Sequence, residues 1–207
     1  MPPVSELGGV GSNVTLHAGV LTPDEASALF EACKALPGFV RKSDDCGPQS
    51  RLTAYFGDEG CSFWYVGLME DPEPWPPALA EARDAVQRAV AGLVASRLTG
   101  CLANRYRTGD DHIPWHADEV RAHGAERAVA ALSLGTPREF LLRRRGAAEP
   151  VARAVLEPGS VLLMRGDAQE RFEHCLPPAG GPGGAACGER ISLTFRTIVP
   201  HAERGGA

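Results

Sequence analysis

RISLTFRTIV, residues 190–199, alternates polar and apolar side chains through its first seven positions. In an extended chain successive side chains point to opposite faces, so Arg190, Ser192, Thr194 and Arg196 share one face while Ile191, Leu193 and Phe195 share the other. The apolar row asks for a core. The polar row is more informative, because two guanidinium groups on the inner face of a small barrel are costly to bury unless an anion neutralises them. A dicarboxylate would serve, since a guanidinium grips a carboxylate through two charge-assisted hydrogen bonds. The alternative is a single-faced sheet with this row in solvent.

Other short apolar-rich runs lie around this one, separated by Gly, Pro and Asp turns: CLANRYR (101–107), AVAALSL (128–134), REFLLRR (138–144), VARAVLE (151–157) and SVLLMR (160–165). The first half reads differently. Thr22-Pro23-Asp24-Glu25 supplies a cap residue, a first-turn proline and the glutamate of a capping box, and Ala26, Leu29, Phe30 and Cys33 follow at helical spacing until Pro37-Gly38. After Pro76-Pro77, the residues Leu79, Ala82, Val86, Val90, Leu93 and Val94 form one apolar stripe that should lie against a sheet. A helix-rich first half and a strand-rich second half predict an α+β chain, with helices buttressing a barrel or sandwich of mainly antiparallel strands. PPAGGPGGAACG, 177–188, excludes regular structure and reads as a loop.

At 207 residues, 43% hydrophobic and 23% charged, the chain suits one buried core, and a net charge of −5 excludes a surface that is polycationic throughout. A local basic groove stays open, because Arg138, Arg143, Arg144 and Arg145 crowd one segment, with Arg41, Lys42 and Arg51 as further cations for phosphates. Each of these equally suits an ordinary solvated surface. No run approaches the roughly 20 apolar residues of a membrane helix, and MPPVSELGG lacks the features of a signal peptide. The expected location is intracellular, cytoplasmic or nuclear rather than secreted, with no membrane partner. Six cysteines without a CxxC pair argue against a zinc knuckle and predict free thiols.

IPWHADE, 113–119, holds the next clue. His116-x-Asp118 alone suits either half of a metal site or a hydrogen-bonded histidine at a strand end. A metalloprotease pair through His112 and His116 fails, since Pro114 between them breaks the helix that motif needs. Asn104 and Tyr106 share a face of CLANRYR, where an amide and a phenol could bind a small acid. His174, in ERFEHCLPP, is expected directly after a strand. With His116 and Asp118 it completes a facial set of two histidines and one carboxylate, the arrangement of non-haem Fe(II) oxygenases.

Taken in order, Asn104-x-Tyr106, Gly109-Asp110-Asp111, His116-x-Asp118-Glu119, Ser133-Leu134-Gly135-x-x-Arg138-x-Phe140, the Gly-Ser-x-Leu run at 159–162, His174 and Arg190-x-x-x-Thr194-Phe195-Arg196 resemble the AlkB family of Fe(II)/2-oxoglutarate dioxygenases. The likeness spans roughly residues 50–198 and is nearest the branch that repairs alkylated bases, as QSRLTAYFGDEG and DPEPWPPAL also suggest. It implies a double-stranded β-helix, or jelly-roll, core over about 100–200 within a single domain of residues 1–207, with a nucleotide-recognition lid over about 38–75. By motif position Fe(II) would be held by His116, Asp118 and His174. 2-Oxoglutarate would be bound by Asn104, Tyr106, Arg190, Ser192, Thr194 and Arg196, with Arg190 on its distal carboxylate.

The same resemblance implies oxidative N-demethylation of alkylated DNA or RNA, releasing formaldehyde, succinate and CO2, by a monomer. The base would have to be flipped or single-stranded to reach the site. Tyr65 would stack on it opposite His116, with Phe63, Trp64, Glu119 and Arg51 as further substrate contacts, although the aromatic run equally suits a core. Two departures stand out. Glu119-Val120 replaces the Asp-Glu pair frequent after the iron carboxylate, and Ser192 replaces an asparagine. Only Phe39-Val40 could wedge into a base stack, which favours single-stranded substrates. The alternatives are a hydroxylase of a small molecule or protein with a remodelled lid, and a non-catalytic binding module.

Overall fold

In the computed structural model residues 4–8, 10–44, 47–65, 67–120, 122–179 and 187–204 are described. Most of the loop expected over 177–188 lies outside them. Strands β1 (Val4–Glu6) and β2 (Val14–His17) precede helix α1 (Pro23–Lys34). Strands β3 (Ser43–Asp44), β4 (Gly47–Pro48), β5 (Leu52–Gly57), β6 (Phe63–Tyr65) and β7 (Leu68–Glu70) lead to α2 (Pro77–Val90). The second half runs β8 (Gly100–Tyr106), β9 (Ile113–His116), β10 (Val129–Gly135), β11 (Arg138–Arg144), β12 (Pro150–Leu156), β13 (Val161–Met164), the one-turn helix α3 (Ala168–Arg171), β14 (Phe172–Leu176) and β15 (Arg190–Arg196).

Two antiparallel sheets form a jelly-roll sandwich. The larger runs β1-β2-β13-β10-β15-β8-β5, the smaller β12-β11-β14-β9. Val129, Leu162 and Met164 of the larger sheet pack with Phe140, Leu142, Ala152 and Phe172 of the smaller, closing the space between them. The outer face of the larger sheet is covered by the helices. Ile191, Leu193 and Phe195 join Ala130, Leu132, Leu163, Cys101 and Ala103 beneath Ala26 and Cys33 of α1 and Leu79, Ala82, Val86 and Val90 of α2. The alternation in 190–196 therefore separates two environments: its apolar row lies under the helices and its polar row faces the smaller sheet.

Both helices form for the reasons their sequences supply. Glu25 donates its backbone N–H to the Thr22 hydroxyl, while the Thr22 N–H reaches the Glu25 carboxylate at 2.8 Å. The apolar stripe of α2 is buried on one side.

The first half is less purely helical than expected. β2 and β5 both add to the larger sheet, β2 against β13 and β5 against β8. Thr53 to Phe56 of β5 are buried without a polar face, which hides the period of two that marks a half-exposed strand. β5 falls within the stretch 38–75 and forms the edge of the core itself. Only the hairpins β3–β4 and β6–β7 of that stretch stand apart from the two sheets.

Gly135 turns the chain from β10 into β11 with φ of +79°, and an added Cβ would lie 2.5 Å from the Glu189 carbonyl oxygen. Neither the left-handed backbone nor the close approach admits a side chain. We expect Gly135→Ala to lower unfolding stability by at least about 2 kcal/mol in urea titration. A loss below roughly 0.5 kcal/mol would show that the turn adjusts freely.

Candidate metal centre

A cavity of about 370 Å³ lies between the sheets, lined from the larger by Asn104, Tyr106, Arg190, Ser192, Thr194 and Arg196. β8 and β15 pair in a register that sets Asn104 opposite Ser192 and Tyr106 opposite Arg190, so both polar rows point the same way. His116, Asp118 and His174 line the cavity from the smaller sheet. β14 pairs with β9 so that His174 lies directly across from His116, with ring centroids 4.2 Å apart. Asp118 follows two residues beyond the end of β9. One donor atom from each of the three lies within 4.8 Å of the others. His174 is the third residue of β14, not the residue after a strand as expected. Phe172 and Leu176 flank it at alternate positions and carry it inward, a pattern that the intervening Glu173 and Cys175 disguise.

Neighbouring groups fix each donor. The His116 Nδ1 sits 2.8 Å from the Pro114 carbonyl oxygen. A carbonyl can only accept, so Nδ1 carries the proton and Nε2 presents its lone pair. Phe140 stacks on His174 at 5.5 Å. Arg196 Nη2 donates to Asp118 Oδ1 at 3.1 Å, and the Asp118 backbone N–H donates to Gln169 Oε1 at 2.9 Å. Burial alone would raise the Asp118 pKa, yet Arg196, His174 and His116 hold it below the ordinary carboxylate range. Burial lowers His116, and burial with the neighbouring His116 pushes His174 down to about 3. At neutral pH the site therefore offers an anionic oxygen and neutral imidazoles, the donor set a mid-series divalent metal takes.

The other expected contacts divide. Tyr65 lines the same cavity as His116, and its hydroxyl accepts from Arg51 Nη2 at 2.9 Å and donates to Gln49 Oε1 at 3.1 Å. Arg51 also donates through Nε to Asn104 Oδ1 at 2.9 Å. It is 4% exposed, so it ties Tyr65 to the cavity wall and does not meet surface phosphates as expected. Arg138, placed with the same surface cations, is 2% exposed. Arg143 is engaged by Glu173 at 2.8 Å and by the Trp115 ring at 4.3 Å, and Arg145 by the Gln169 carbonyl at 2.8 Å. Phe63 is buried behind Tyr65, with ring centroids 5.8 Å apart. Trp64 takes the opposite face of β6 and is 50% exposed, bordering a second cavity with Phe63, Met69, Glu119 and His123.

Sequence reasoning missed Gln169. It acts on the backbone of Asp118 from a one-turn helix, and a lone glutamine there carries no periodic signal. Because such outer partners orient metal ligands, Gln169→Ala should weaken Mn(II) binding roughly tenfold in calorimetric titration. Unchanged affinity would mean that Arg196 alone fixes the carboxylate.

Residues 13–196 match the family model described as the 2OG-Fe(II) oxygenase superfamily. The chain is 31% identical over 161 residues to DNA oxidative demethylase ALKBH2 of Bos taurus, covering 74% of this chain and 55% of that protein. It is 29% identical over 202 residues to alpha-ketoglutarate-dependent dioxygenase alkB homolog 3 of Mus musculus, covering 91% of this chain and 67% of that protein. The match thus spans little more than half the length of the bovine relative. The solved structure titled "The structure of OsALKBH1" shares the fold with a TM-score of 0.68 at 19% identity, covering 94% of this chain and all of that one.

Proposed function

Because the chain belongs to the 2OG-Fe(II) oxygenase superfamily and, within it, to the AlkB family, we propose that it removes alkyl groups oxidatively from bases in nucleic acid, preferring single strands. Fe(II) is the family's metal and 2-oxoglutarate its co-substrate, and the residues fit both. Two neutral imidazoles and a carboxylate suit the metal, and Arg190 Nε, buried without a partner among the described residues, suits a carboxylate. When bound, the pair would use O2 to couple oxidative decarboxylation of the keto acid to hydroxylation of an N-alkyl carbon, which then leaves as an aldehyde. The observation that carries this reading is the convergence of His116, Asp118 and His174 in the cavity that Arg190 also lines.

The protein's own groups bind and aim. His116, Asp118 and His174 hold the metal, with Arg196 and Gln169 keeping the carboxylate turned toward the imidazoles. Asn104, Tyr106, Ser192 and Thr194 line the bed of the keto acid, and Arg190 takes its distal carboxylate. Tyr65 offers a ring face for the base opposite His116, held in place by Arg51 and Gln49 and backed by Phe63. Trp64 and Glu119, around the second cavity, meet the neighbouring nucleotide. A preference for single strands is supported by Phe39, which packs into the core and lies under Arg105, leaving Val40 alone exposed for a wedge. The cysteines among the described residues are free thiols, which fits a reducing intracellular compartment.

Anaerobic loading with Fe(II), then incubation with 2-oxoglutarate, air and a single-stranded 1-methyladenine oligonucleotide should give formaldehyde and restored adenine. Succinate without repair would instead favour hydroxylation of a small molecule or protein. His116→Ala and Asp118→Ala should abolish turnover, and full activity in either would refute the metal assignment. Arg190→Ala should chiefly raise the KM for 2-oxoglutarate. Tyr65→Ala should impair repair while leaving substrate-independent succinate formation, and intact repair would remove Tyr65 from the base contact.

A further inference from the structure

Arg138 has no part in the roles above, yet it is among the most buried charged side chains of the protein. It opens β11 on the inner face of the smaller sheet, alternating with Phe140 and Leu142, and so points across the sandwich toward β8 and β15. Its guanidinium carbon lies 5.9 Å from the centre of the Tyr106 ring, and that of Arg190 lies 5.2 Å from the same centre. Two buried cations therefore share one phenol ring. Among the described residues no carboxylate forms an ion pair with either. Asp111, the nearby acid, is engaged by Arg107 at 2.8 Å.

Hydrogen bonding accounts for only part of Arg138. Its Nη2 donates to the carbonyl oxygens of Asp111 at 3.0 Å and Pro177 at 2.6 Å, joining the turn after β8 to the end of β14. Among the described residues its Nε and Nη1 have no partner, and neither does Nε of Arg190, whose Nη2 reaches the Ser133 hydroxyl at 3.0 Å. A structural clamp would need the fork toward the carbonyls and nothing more. Three N–H-bearing nitrogens unpaired among the described residues, on two neighbouring buried cations, are an expensive arrangement that a nearby anion would offset.

We propose that Arg138 is a positioning residue for the co-substrate, its charge acting with Arg190 around Tyr106 so that this end of the cavity takes a dicarboxylate and rejects a keto acid that ends in a methyl group. Arg138 does not line the cavity itself, so it acts through Tyr106 and through its field at Arg190. The inference rests on the co-substrate reading given above. It assigns to the start of β11 a part in co-substrate selection.

The test compares 2-oxoglutarate with 2-oxopentanoate, which has the same chain length but a methyl in place of the distal carboxylate. Binding is measured by calorimetry on the Mn(II)-loaded protein without turnover. Arg138→Gln removes the charge and, because its amide nitrogen reaches only as far as the arginine Nε, the two carbonyl contacts of Nη2 as well, a loss that both acids would report equally; Arg138→Lys keeps the charge without the fork. The Gln variant should lose about tenfold or more in affinity for 2-oxoglutarate while its affinity for 2-oxopentanoate stays within about threefold. Lys should restore most of the difference. Equal losses for both acids would reduce Arg138 to a clamp and overturn the proposal, as would undiminished 2-oxoglutarate binding. If Gln does not fold, Lys decides alone: selectivity for 2-oxoglutarate retained supports the charge, and selectivity lost overturns it. Failure of the unaltered protein to bind 2-oxoglutarate would instead overturn the co-substrate reading itself, and this inference with it.

Discussion

An ion pair joins the two sheets where the chemistry is concentrated. Arg196, the last residue of β15 in the larger sheet, reaches Asp118, just past β9 of the smaller, and both side chains are largely buried. A buried pair of this kind adds little to net stability, because desolvation offsets most of the Coulombic attraction. Its consequence is positional. Without the guanidinium, a carboxylate buried beside two imidazoles would take up a proton or turn toward solvent. With it, the carboxylate stays anionic and faces His116 and His174.

The charge balance of the cavity follows from the same constraint. Arg51, Arg138, Arg190 and Arg196 are all at most 5% exposed, and among the described residues only Arg196 of these has a carboxylate partner. Arg51 is satisfied by neutral oxygens, whereas Arg138 and Arg190 each keep unpaired nitrogens. The interior is thus electropositive although the chain as a whole carries a net charge of −5. A cavity of that sign favours small organic acids, whose carboxylates replace the hydration these cations lost on folding.

Much of this was legible in the sequence because strands and helices declare their faces by period. The row Arg190, Ser192, Thr194, Arg196 lies on the cavity side and Ile191, Leu193, Phe195 under the helices, as alternation requires. The capping box at Thr22 and the stripe of α2 located both long helices. Legibility ended where burial or long-range contact overrides local pattern. β5 is buried on both faces and shows no alternation. Arg51 and Arg138 look like surface cations in a linear sequence, and only tertiary pairing with Tyr65, Asn104 and Tyr106 brings them inside. Gln169 touches a backbone amide 51 residues away, a contact no spacing announces. The hairpin β6–β7 explains the aromatic run: one strand gives Tyr65 to the main cavity and Trp64 to its neighbour.

The most direct measurement is anomalous diffraction from crystals of the protein loaded with Mn(II). One strong peak should lie about 2 Å from nitrogens of both His116 and His174 and from an oxygen of Asp118, with Arg196 still donating to that carboxylate. A peak held by other residues, or one that leaves Asp118 outside bonding distance, would contradict the metal centre on which the functional reading stands.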